Sequence, residues 1–313
     1  LFVTTLLSYQ ALASTLQETK IVFQKGFAKI PYVSESNIHK FRISEKLKKK
    51  KISSLCKKVQ SVYKKYGWKE SACGQTNWQT DYESLQKNPL IYSTFGSGKN
   101  TTLFLGGVHP DELTPMHLAF KLASYLTKNP SAYQTRDVKI IIAPLVSPDG
   151  LFTKKRILRT NGVVDVNRNF ITHDWYEKSL SAWKNRRKSR SRYFPGYFPN
   201  TEIETIFQTE LIAVHKPDKI LSVHAPLGFL DYDGPADQQT RNLSKTEKKA
   251  RLFVHSIAKK SRNYRVVNYR FYPGSLGNYA GNERDIPTVT LELPTTNPAK
   301  TGEYWQKFWP GFS

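Results

Sequence analysis

From about residue 88 onward, short and nearly continuous runs of Val, Ile, Leu and Phe alternate with longer stretches of helical spacing. A strand with one wet face alternates apolar and polar residues. A strand written as an unbroken apolar run must be covered on both faces, and helices between such strands supply the cover. PLIYSTFG, TTLFLGGV, DVKIIIAPLV, DKILSVHA and IPTVTLELP read as strands, and ELTPMHLAFKLASYL, EIETIFQTELIAVH and TEKKARLFVHSIAKK as helices. The expected fold is α/β, a mostly parallel mixed sheet with helices on both faces. The stretch from Trp175 to Pro199 is basic and aromatic with no clean period, and reads as a long surface loop with room for a short helix.

The amino-terminal part has a different character. Lys48–Lys51 leads into ISSLCKKVQSVYKKYGW, where Ile52, Leu55, Val59, Val62 and Tyr63 recur at helical spacing with lysines opposite. This predicts one amphipathic helix in a small basic extension. The first thirteen residues, LFVTTLLSYQALA, are uncharged and close on Ala11-Leu12-Ala13, which reads as the end of a secretory signal. The expected location is therefore the periplasm or the outside of the cell. Nothing later approaches the ~18 apolar residues of a membrane span. In an oxidising compartment the two cysteines, Cys56 and Cys73, can form a disulfide that closes a short loop, worth about 3 kcal/mol. Two cysteines exclude both a disulfide-dense scaffold and a zinc site of four thiolates.

In an open α/β sheet, ligands collect at the carboxyl ends of the strands. Four of these ends carry chemically competent side chains. TTLFLGGV runs into His109-Pro110-Asp111-Glu112. IIIAPLV opens a segment containing Arg159 and then Asp165-Val166-Asn167-Arg168-Asn169. KILSV ends at His224, and TVTL ends at Glu292. Each piece alone is a weak signal, since His109 can be an ordinary strand-end residue and Glu112 a first-turn carboxylate favoured by the helix dipole. Together they gain meaning. His109 and Glu112 flank one strand-to-helix turn and can converge on a metal, and His224 can supply a third ligand from another strand. Two nitrogens and one oxygen leave a tetrahedral zinc with an open position, the arrangement of catalytic sites. The other histidines (His39, His117, His173, His215, His255) have no partner spacing and read as packing or surface residues.

GGVHPDE, SPDG, LRTNGVVDVNRNF, SVHAP and TVTLELP resemble, in order and spacing, the zinc carboxypeptidase family over roughly residues 76–313. SVHAPLGFLDYDGP, PGSLGNYAGN, FPGYFPNTEIET and TLELP look closest to its bacterial murein peptide amidases. The resemblance implies one Zn²⁺ held by His109, Glu112 and His224, with Glu292 as the general base. It also implies that Arg159 polarises the scissile carbonyl, and that Asn167 and Arg168 hold the terminal carboxylate of the substrate. Residues 1–13, 14–75 and 76–313 then read as signal remnant, basic extension and zinc peptidase domain. A Tyr that closes over the substrate falls near Tyr269 or Tyr272, and the spacing does not choose between them.

The implied activity is zinc-dependent hydrolysis of the γ-D-glutamyl–diaminopimelate bond in peptidoglycan stem peptides. One alternative is a zinc carboxypeptidase acting on protein or peptide C-termini. Another is a basic cell-wall-binding protein with a vestigial site. Diaminopimelate carries a distal ammonium, for which Asp231 and Asp233 are acidic candidates; they read equally well as turn residues capping the backbone. Lys+Arg outnumber Asp+Glu by 48 to 25, a net charge of +23, which bears on partners and little on fold. Beside the murein-type motifs, an anionic cell-wall polymer is the expected partner of this basic surface, and nucleic acid is not.

Overall fold

In the computed structural model, which describes residues 35–153, 164–233, 245–269 and 271–312, the apolar runs become strands of one seven-stranded mixed sheet. The strands are β1 (Ser93–Phe95), β2 (Asn100–Leu105), β3 (Val138–Ala143), β4 (Lys219–His224), β5 (Phe229–Asp233), β6 (Val266–Val267) and β7 (Thr288–Glu292). Their order is β1-β3-β2-β4-β7-β5-β6. The centre, β3-β2-β4-β7, is parallel. β1 runs antiparallel to β3, and β5 antiparallel to β7.

Strand period explains how the sheet is covered. Phe104, Ile142, Leu221, Val223, Val289 and Leu291 join one buried cluster with four helices: α1 (Glu45–Lys65), α2 (Leu113–Lys128), α5 (Lys245–Lys260) and α6 (Thr301–Phe312). The intervening residues Leu103, Leu105, Ile141 and Ile220 are equally buried and point to the opposite face. There α4 (Ile203–His215) packs on β2 with Ile203 and Phe207 inside.

The same alternation sorts the polar residues. Ser222 and His224 on β4, Thr290 and Glu292 on β7, and Asp231 and Asp233 on β5 all lie on the face away from the large cluster. β5 escapes sequence reading because its outward positions are these two Asp, which break the apolar run. They are strand residues, so the turn-capping reading does not hold. The stretch 175–199, expected as a loop with room for a short helix, begins with a helix of 13 residues, α3 (Trp175–Arg187). Its buried positions are Trp175, Ser179 and Ala182, spaced as a helix face but mostly small or polar, which hides the period.

The described residues form one compact unit, and α1 is part of its core through Leu55, Val59 and Tyr63. Several lysines of α1 are tied down rather than free. Lys48 pairs with Asp81 at 2.7 Å, Lys51 pairs with Glu83, and Lys58 donates to Asn88 at 2.7 Å. Cys56 and Cys73 are joined by a disulfide. The signal-like residues 1–13 lie outside the described residues. No helix among the described residues is long and apolar enough to cross a membrane. Replacing both cysteines by alanine is expected to lower the unfolding free energy by about 3 kcal/mol, read from urea denaturation. A loss below about 0.5 kcal/mol would show that the cross-link adds nothing to the packing of α1.

Candidate active site

β2 and β4 are neighbours, so the turn after β2 and the last residue of β4 meet at the carboxyl edge of the sheet. His109 and Glu112 come from that turn, and His224 ends β4. All three are buried, and one ligand atom from each lies within 4.8 Å of the others. His109 Nδ1 is 2.7 Å from Glu112 Oε1. His224 Nδ1 is 3.2 Å from both His109 Nδ1 and Glu112 Oε2.

The outer ring nitrogens fix what the inner ones can do. His109 Nε2 lies 3.1 Å from Asp165 Oδ1, and a carboxylate accepts, so this nitrogen carries the proton. His224 Nε2 lies 3.0 Å from Ser222 Oγ, which can accept in the same way. Both Nδ1 lone pairs then converge with a buried carboxylate on one point. Burial also pushes the pKa of Glu112 up, so the charged form there calls for a cation. Such a set, with each imidazole braced from outside, suits a divalent metal with nitrogen and oxygen ligands.

Glu292 ends β7 and stands beside His224 in the register of the two strands. It accepts from the Leu227 N–H at 3.3 Å. Burial, with smaller contributions from Glu112 and Asp231, pushes its pKa up to about 7. Two glycines hold a further wall in place. A Cβ on Gly274, whose φ is +74°, would meet the Arg168 carbonyl oxygen at 2.1 Å, and one on Gly277 would lie 2.2 Å from Asp233 Oδ1.

Asn167 and Arg168 sit in the short turn Val166–Arg168. Asp165, which orients His109, also accepts from the Asn167 N–H at 3.0 Å, so a single carboxylate ties this turn to the histidine. Asn167 Oδ1 accepts from the Leu276 N–H at 2.8 Å. The Arg168 guanidinium stacks 4.2 Å from the centre of the Tyr272 ring, and its Nε is buried with no partner among the described residues. Tyr272 is thus the tyrosine beside Arg168. Tyr269 is exposed and packs on Phe229 instead. Arg159 lies outside the described residues.

Asp231 accepts from the Tyr269 N–H at 3.0 Å, and burial pushes its pKa up to about 6. Asp233 accepts from Thr290 Oγ1 at 2.7 Å, and burial raises its pKa well above the usual range. His117 packs against Tyr63 and Trp68, and burial lowers its pKa to about 4, in keeping with a packing residue. Sequence reasoning assigned no role to Asp165 or Ser222. The available signals were a carboxylate two residues before Asn167 and a hydroxyl two residues before His224 on the same strand face.

The chain belongs to the zinc carboxypeptidase family, whose pattern matches residues 60–311, and it is a hydrolase of that class. It is 28% identical over 221 residues to murein peptide amidase A of Vibrio campbellii, across 68% of this chain and 77% of that protein. The fold is shared with murein-tripeptide amidase MpaA from Escherichia coli O157, at TM-score 0.51 and 22% identity over 74% of this chain and 88% of that one. It is shared as well with bovine thrombin-activatable fibrinolysis inhibitor in its complex with tick carboxypeptidase inhibitor, at TM-score 0.61 and 16% identity over 82% and 94%.

The second Asn of the N-R-N motif has a structural task. Asn169 is fully buried, donates to the carbonyls of Pro195 and Phe198 (both 2.9 Å), and accepts from the N–H groups of Thr201 (2.8 Å) and Glu202 (3.1 Å). Asn169→Ala strands all four groups and is expected to destabilise the protein by about 1–3 kcal/mol, measured by thermal or urea unfolding. Unchanged stability would contradict this reading.

Proposed function

We propose that the protein hydrolyses an amide bond in peptidoglycan stem peptides, the γ-D-glutamyl–diaminopimelate bond, using one zinc ion held by His109, Glu112 and His224. One observation carries the proposal. The sheet face that bears His224 and Glu292 also bears Asp231 and Asp233, while the buried Nε of Arg168 has no partner among the described residues. Diaminopimelate presents a carboxylate next to the cleaved bond and an ammonium at its far end, which matches a guanidinium and a carboxylate pair. The similarity to murein peptide amidase A supports the same substrate class.

A zinc ion held by His109, Glu112 and His224 would supply Lewis-acid chemistry at this point, for the carbonyl and for the attacking water. Glu292 takes the proton of the attacking water at its carboxylate and returns it to the leaving amine. Arg168 forms a paired contact with the carboxylate of the leaving residue, with Tyr272 stacked beneath it, and Asn167 assists through its side-chain amide. Arg159 is proposed to face the carbonyl oxygen and to oppose the negative charge that develops there. Asp231 and Asp233 hold the distal ammonium. The protein is proposed to act in the periplasm or outside the cell, a setting consistent with the Cys56–Cys73 disulfide.

The test uses L-alanyl-γ-D-glutamyl-diaminopimelate with the leaving-residue carboxylate either free or amidated, beside a panel of ordinary peptides, with products identified by mass spectrometry. The free acid should release diaminopimelate, and amidation should lower kcat/KM by about tenfold or more, because it leaves a guanidinium unpaired. Glu292→Gln should still bind the free acid but turn it over about 10²–10⁴ times more slowly. Equal rates on the two forms, or better cleavage of ordinary C-terminal residues, would overturn the assignment.

A further inference from the structure

The basic and aromatic stretch after Asn169 does not stay on the surface. Arg192, in the short turn Ser191–Tyr193, reaches back across 81 residues of sequence to donate from Nη1 to Asp111 Oδ2. Its Nη2 lies 3.7 Å from Glu112 Oε1, too long for a hydrogen bond. Asp111 and Glu112 belong to the turn that carries the candidate metal ligands. The Arg192 side chain remains 30% exposed. A guanidinium has five donors, and the Asp111 bond uses one.

Arg192 does not stand alone. Its guanidinium lies 5.9 Å from the centre of the Tyr193 ring, and Arg187 lies 4.6 Å from the same ring. Arg187 also lies 5.5 Å from the Tyr272 ring, on which Arg168 stacks at 4.2 Å. Three arginines and two tyrosines thus alternate in a continuous rim from the proposed carboxylate grip at Arg168 to the Glu112 turn. Cation–π contact with a ring face leaves most of a guanidinium's five N–H donors available for a carboxylate.

A γ-linked glutamyl residue differs from an ordinary peptide unit in its two extra main-chain methylenes and in carrying a free carboxylate. Its α-carboxylate stays free, a few bonds from the scissile amide and on the side away from the leaving residue. We infer that Arg192 is a specificity-determining residue that pairs with this α-carboxylate, while Arg168 serves the carboxylate on the other side of the cleaved bond. Asp111 is a positioning residue: it fixes one edge of the Arg192 fork and leaves the rest facing the substrate. The inference rests on the stem-peptide reading above and adds to it a reason for preferring a γ-glutamyl bond.

The experiment changes the substrate first and the protein second. The wild-type enzyme is assayed on L-alanyl-γ-D-glutamyl-diaminopimelate and on its D-isoglutaminyl form, in which only the glutamyl α-carboxylate is amidated. The amide should be poorer by about tenfold in kcat/KM, mostly through KM. In Arg192→Gln the free acid should fall by about the same factor and the amide by less than about threefold, so that the preference disappears. Arg192→Lys should restore only part of it, because an ammonium lacks the planar fork. Calorimetric binding of both peptides to Glu292→Gln, with and without Arg192→Gln, should repeat the pattern without turnover.

If wild-type enzyme cleaves acid and amide equally, or if Arg192→Gln lowers both alike, the inference is wrong while the stem-peptide reading stands. If neither peptide is bound or cleaved, that reading itself has failed. The wild-type comparison needs no variant to fold.

Discussion

Everything at the carboxyl edge of the sheet depends on three buried lone pairs that point at one another. His109 and Glu112 come from the turn after β2 and His224 from the end of the neighbouring parallel strand β4, and their inner atoms lie 2.7–3.2 Å apart. With Asp165 and Ser222 engaging the outer ring nitrogens, the inner nitrogens act as acceptors facing a buried carboxylate. Such an arrangement is repulsive without positive charge at its centre and strongly favourable with it. The surrounding structure keeps the geometry tight. Asp165 links the histidine to the N-R-N turn, and Asn169 links that turn to the chain entering α4.

The fold was largely legible because the central strands are apolar on both faces, as parallel strands covered by helices must be. What escaped was hidden by chemistry of the opposite kind. β5 carries Asp231 and Asp233 on its outward positions, and α3 buries Ser179 and Ala182, so neither shows the apolar period of its class. The very residues that make β5 hard to read are those that place acidic groups on the face of Glu292.

The site divides along a similar line. The strand-end motifs brought out His109, Glu112, His224, Asn167, Arg168 and Glu292, and the fold gathers them at one edge. The residues that support them are legible only once strand order and loop paths are known. Tyr272 is distinguished from Tyr269 by the side chain it stacks on, not by its spacing. Arg192 is one arginine in a basic run, and nothing local marks it as the one that reaches Asp111.

The most direct measurement is metal content with and without the three converging side chains. Protein stripped with chelator and dialysed against zinc should retain one zinc per chain, with anomalous scattering centred between His109 Nδ1, His224 Nδ1 and the Glu112 carboxylate, at about 2.0–2.2 Å from each. The His109→Ala/His224→Ala double variant should lose that zinc, whereas Glu292→Gln should keep it. An intact triad that binds no stoichiometric zinc, or a double variant that retains it, would contradict the account at its base.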